Sequence, residues 1–138
     1  MAYKSAQTAV ATATQTVAAN GFVNFPSNNL PASRAISHVA GSNTVNTLYG
    51  LYLVAFNADV SPTAAGDIGF RLLNRGVAVP GAEATATGAT GDTYNVGFTT
   101  LLSIPRSCCV VNNNATLQVQ ATAAGTISNA SLSVVRLA

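Results

Sequence analysis

The sequence predicts an all-β fold, an antiparallel jelly-roll sandwich of about nine or ten strands. Two observations predict it. Thr, Val and Ala alternate along most of the chain, and turn residues interrupt them at intervals of roughly ten, the spacing of sandwiches and barrels. No apolar spacing of three and four persists, and the connections are too short for crossover helices, which excludes α/β folds. A chain of 138 residues fits one such domain with a real core.

The elements follow in order. Residues 1–19 are Ala- and Thr-rich with no large apolar anchor, and are expected to form an arm outside a domain spanning 20–138, ordered by a neighbouring subunit or by a shell. Asn20-Gly21 is a turn signal before residues 22–25, and Pro26 and Pro31 bracket an expected loop. Residues 35–40 and 44–48 read as short strands. Residues 49–56 give the strongest strand, apolar on both faces through Leu51, Tyr52, Leu53, Val54 and Phe56. In a small domain with one core, a second apolar face meets another subunit, so Leu51, Leu53 and Phe56 are the expected contacts between copies.

Residues 57–66 read as a polar connection. Residues 67–74 alternate, with Ile68, Phe70 and Leu72 on one face, and turn at Asn74-Arg75-Gly76 into residues 77–79. Pro80-Gly81 separates these from a small-residue strand at 82–87, and 88–92 is a loop. Tyr94, Val96 and Phe98 form an inward face that continues through 101–104. Residues 108–111 form a strand stopped by Asn112-Asn113-Asn114. Leu117, Val119 and Ala121 alternate with Thr116, Gln118 and Gln120, and residues 127–137 close the domain.

Only 7% of residues are charged, against about 25% in an ordinary soluble domain. Surface so poor in charge suits an obligate oligomer. The six Lys and Arg residues are scattered, without interleaved aromatics, which argues against nucleic-acid binding. The opening residues carry no apolar segment of leader type, and no run is long enough to cross a membrane as a helix. The expectation is therefore a cytoplasmic product with no membrane partner. Adjacent Cys108 and Cys109 point to opposite faces of a strand and read as reduced core residues rather than a metal or redox pair.

Catalysis needs a reactive group, a proton acceptor and a group that orients them. The chain offers one histidine, His38, and four carboxylates, Asp59, Asp67, Glu83 and Asp92. No nucleophile elbow, phosphate loop, dinucleotide fingerprint or zinc spacing is present. Asp59 and Asp67 fall short of the oxygen ligands calcium needs and read as turn caps. Asn114 and Asn129 match the glycosylation acceptor pattern, as chance allows in an Asn- and Thr-rich chain. No catalytic residue, cofactor or metal is expected.

The passage Pro62-Thr-Ala-Ala-Gly-Asp67, followed by residues 68–81 with their Asn-Arg-Gly hairpin and Val-Pro-Gly exit, resembles the C-terminal domain of collagen-like spore-surface glycoproteins of the BclA type. It is similar too to related domains in bacterial and phage genomes, as are the ending Ser131 to Ala138, the Cys-Cys pair and the opening Thr-Val-Ala-Ala-Asn-Gly. The resemblance implies a jelly roll of the tumour-necrosis-factor and complement type, packed as a homotrimer. The Gly-x-y repeats of the spore-surface proteins are missing here. A virion component is therefore expected: a non-catalytic, trimeric capsid decoration or head-fibre protein of a bacteriophage, with capsid or other virion proteins as partners. The alternative is an adhesin tip for host-surface glycans, with Tyr49, Asp92 and Tyr94 as its aromatic and acidic platform, or a protein of a bacterial or spore surface.

Overall fold

A computed structural model of the chain describes residues 5–30, 35–105 and 115–138. Because Thr, Val and Ala alternate rather than cluster at helical spacing, the backbone pairs between strands and buries every second side chain. Eleven strands result among the described residues: β1 (Ala6–Ala11), β2 (Gln15–Val17), β3 (Ser27–Leu30), β4 (Ile36–His38), β5 (Val45–Thr47), β6 (Gly50–Pro62), β7 (Gly66–Asn74), β8 (Val77–Gly88), β9 (Tyr94–Ile104), β10 (Ala115–Ala121) and β11 (Gly125–Arg136). No described residue is helical.

The strands form two antiparallel sheets. The first has the order β3-β1-β11-β6-β9, with β2 also on β11, and the second has the order β4-β5-β10-β7-β8. Their facing sides make one core. Tyr52, Val54, Phe56 and Val60 of β6 and Leu132 and Val134 of β11 meet Ile68, Phe70 and Leu72 of β7 and Leu117 and Val119 of β10. Phe56 lies 5.4 Å from Phe70 and 5.5 Å from Phe98, ring centre to ring centre. Burying one such ring contributes about 1.5–3 kcal/mol.

Several expectations change. Residues 6–11 are not an arm: β1 lies between β3 and β11, pairing Ala6 with Val135 and Ala11 with Ala130, and it buries Gln7, Ala9 and Ala11. Its core side carries no large apolar side chain, only Gln7 and two alanines. Residues 57–62 are strand rather than connection, since Asn57, Asp59 and Ser61 point outward while Ala58, Val60 and Pro62 are buried. Ser27–Leu30, expected as loop, pairs with β1 at the sheet edge, where the flanking Pro26 is tolerated. Residues 77–88 form one strand across Pro80-Gly81, with Gly81 at φ 83° and a register shift opposite residues 71–73. Cys108, Cys109 and the Asn112–114 turn lie outside the described residues.

Candidate functional site

The two outward faces differ chemically. On the second sheet, the polar side chains bond to one another. Arg71 donates through Nε to Gln120 Oε1 at 2.8 Å, Gln120 Nε2 to the Asn20 carbonyl at 3.0 Å, and Gln118 Nε2 to Asn43 Oδ1 at 3.0 Å. Thr87 donates to Asp67, and Thr122 Oγ1 accepts from the Gly69 amide at 2.9 Å. This face is largely polar and many of its side chains are hydrogen-bonded, with Val39 and Val77 exposed singly at a strand end and a turn.

The first sheet presents three rows across β1, β11, β6 and β9. Strand register sets Ala6, Val135, Leu53 and Leu101 side by side, then Thr8, Ser133, Ala55 and Thr99, then Val10, Ser131, Asn57 and Gly97. The first row is an apolar stripe extended by Leu51, and Leu101 is 61% exposed although fully aliphatic. The other two rows border a shallow hollow lined by Asn57, Asn95, Gly97, Thr99, Ser131 and Ser133. Gly97 lines it where β9 runs close to β6: a Cβ there would stand 2.8 Å from the Phe56 carbonyl oxygen.

Past the hollow sits a carboxylate held by amides. Asn95 Nδ2 donates to Asp59 Oδ1 at 2.9 Å and to Asn57 Oδ1 at 2.8 Å, and Asn129 Nδ2 donates to Asp59 Oδ2 at 3.2 Å. Asn129 reaches Asp59 from a bulge in β11, where its φ is 51°. The bonds from Asn95 first, and then from Asn129, favour the charged form and hold the Asp59 carboxyl below its ordinary range.

The residues proposed from sequence are dispersed. Leu51 and Leu53 lie on the apolar stripe, but Phe56 points the other way and is 2% exposed, in the core between the sheets. Alternation decides this: residue 56 is odd-numbered in spacing from 53, so the two face opposite sides of β6. Tyr94 donates to Asp92 Oδ2 at 3.2 Å, as a paired site would. Its ring, however, packs on the core and against Gly88, where a Cβ would come within 2.1 Å of it, so little of it is free as a platform. Tyr49 lies at the opposite end of β6, about 36 Å away by strand rise. Arg136 covers it, 5.5 Å from the ring centre, with Nη2 donating to the Tyr49 carbonyl at 3.1 Å.

His38 is 5% exposed, with Nδ1 2.5 Å from Asn28 Oδ1 and Nε2 2.8 Å from the Ser42 carbonyl. Both nitrogens are committed to structural partners. No group of three metal-ligating side chains occurs among the described residues. Sequence reasoning missed Leu101, Val135, Asn95 and Asn129. The signal was available in the period-two spacing of Leu101 with Thr99 and of Val135 with Ser133 and Ser131, once those positions are assigned to the outward side.

No family model matches the chain, and no curated protein matches it. Solved structures do match. Murine APRIL superposes with a TM-score of 0.72 over 98% of this chain and 100% of its own, at 12% identity. The globular domain of zebrafish complement 1qA gives 0.70 over 96% of each chain, also at 12% identity. The fold is a jelly roll of the TNF and C1q type. PRD1 vertex protein P5 shares this jelly roll, with a TM-score of 0.61 over the whole of both chains at 10% identity.

Proposed function

We propose that the chain is a non-catalytic structural protein of a virion that works as a homotrimer, with the outward face of its first sheet turned toward other copies. The contrast between the two outer faces carries this reading. One face ties many of its polar side chains to partners and exposes Val39 and Val77 only singly, at a strand end and a turn, while the other lines up exposed Leu51 and Leu101 with half-buried Leu53 and Val135 beside an open hollow. Apolar surface of that kind gains by being covered. The TNF- and C1q-like jelly roll supports self-association, and its occurrence in a vertex protein supports a place on a particle. A capsid decoration or head-fibre role in a bacteriophage follows, with capsid proteins as further partners. Membership of the BclA-type group belongs to the same reading.

The test is oligomeric state. Sedimentation of the wild-type protein at micromolar concentration is expected to give a trimer. Leu53→Asp and Leu101→Asp should each give a folded monomer, since a charge in a desolvated contact costs several kcal/mol, on the order of 2–7 kcal/mol for even a neutral polar group. A monomeric wild type, or trimers in both variants, would sink the proposal. A particle role predicts that the genes beside this one encode a major capsid protein and a portal.

A further inference from the structure

Charge is sorted along the strand axis. β6 runs from Gly50 to Pro62, a span of about 40 Å. At the Pro62 end lie Asp59 on β6, Asp67 at the start of β7 and Asp92 in the β8–β9 loop. No Lys or Arg among the described residues shares that end. At the Gly50 end lie Arg75, in the β7–β8 turn beside the Thr116 carbonyl, and Arg136, beside Tyr49. Among the described residues only Arg71 and Glu83 stand between the ends, and they are register partners of opposite charge.

We propose that the aspartate-bearing end of one copy docks on the arginine-bearing end of a second copy, head to tail along the strand axis. The complementarity is within the chain itself, so a second copy is the partner it specifies. Among the described residues these two groups hold all the charge but the Arg71 and Glu83 pair, and so shape the field that an approaching copy meets. Amide donors from Asn95 and Asn129 keep Asp59 ionised toward that field. A contact between unlike ends does not close on itself, so it builds short linear stacks rather than rings. It uses none of the apolar stripe and holds whether the stacking unit is one chain or three.

Exposed charges act over about 30 Å at 0.01 M salt and about 8 Å at 0.15 M. Light scattering on the full chain in about 0.3 M sodium chloride therefore reports the sheet-face unit, and in about 0.01 M it reports stacking as well. The mean mass is expected to rise at least about two-fold at low salt, with the high-salt unit as the step. The double variant Asp67→Asn/Asp92→Asn and the variant Arg75→Glu should each lose that rise while keeping their circular dichroism. Mixed together they should regain it, because one retains the basic end and the other the acidic end. Equal masses at both salt concentrations would overturn the proposal. So would a low-salt rise that survives in both variants, or a mixture that fails to associate. A wild-type trimer that never stacks refutes this proposal alone, whereas a monomer that stacks at low salt refutes only the trimeric reading.

Discussion

Asn28 is the joint of a polar seam inside the sandwich. Its Oδ1 accepts from Gln7 Nε2 at 3.0 Å and lies 2.5 Å from His38 Nδ1, while its Nδ2 donates to the His38 carbonyl at 3.1 Å. One carboxamide thus ties β1 and β3 of the first sheet to β4 of the second. Gln7 is 1% exposed, so its amide has no water to turn to. Asn28→Ala should cost about 2–4 kcal/mol by urea unfolding, the penalty of stranding buried donors. Asp59 supplies a pH-dependent counterpart at the surface. Its carboxyl titrates lower folded than unfolded, so its contribution is present above the ordinary carboxylate range and fades as pH falls through the folded value. Asp59→Asn should flatten the loss of stability below about pH 4 while leaving the neutral-pH fold intact, as thermal melts across that range would show.

Among the elements, β1 has the role least visible in the sequence. Deleting residues 6–11 would leave β3 without its neighbour and β11 with an open edge, and would uncover the core along Ala9 and Ala11. The truncated chain is expected to lose its cooperative unfolding transition; a sharp transition in calorimetry would contradict the integral placement of β1. The large-residue strands were legible because alternation in 67–74 and 116–121 sets bulky side chains against polar ones. β1 was not, because its core side is Gln and Ala and its outward side is Ala, Thr and Val, so hydrophobicity hardly alternates at all. The far half of β6 was hidden by the same rule in reverse: Asn57, Asp59 and Pro62 look like a turn until their neighbours Ala58 and Val60 are seen to be buried. Of the candidate site, Leu51 and Leu53 could be read from the sequence. Period-two spacing could put Leu101 and Val135 on outward sides, but their row could not be read, since it takes the pairing of β9, β6, β11 and β1 to bring residues 101, 53, 135 and 6 together.

For the whole molecule, self-association and stability are linked. If the apolar stripe is covered only between copies, the assembled form gains stability by mass action, and the melting temperature should rise with protein concentration. A ten-fold dilution that leaves the melting temperature fixed at micromolar levels would count against burial of that face between copies. Leu53→Asp should remove the concentration dependence while preserving the sandwich, because Leu53 contributes to the outer face rather than to the core that Phe56 and Phe70 share.

The pairing of Ala6 with Val135 also has a consequence for how the protein is made. A ribosome releases the first strand long before the last, and the first sheet has its β11 centre missing until residue 136 has been synthesised. Nascent β1 must therefore wait through nearly the whole of translation, and β6 through its second half, unpaired along the edges that β11 will later occupy. Closure this non-local is slow, and open strand edges invite mispairing with other chains. Ala, Gln and Thr along β1, in place of continuous Val and Ile, keep that waiting strand from sticking, whereas Leu51 to Phe56 of β6 carry the greater hazard. The small, polar composition that obscures β1 in the sequence thus also suits the strand that waits longest.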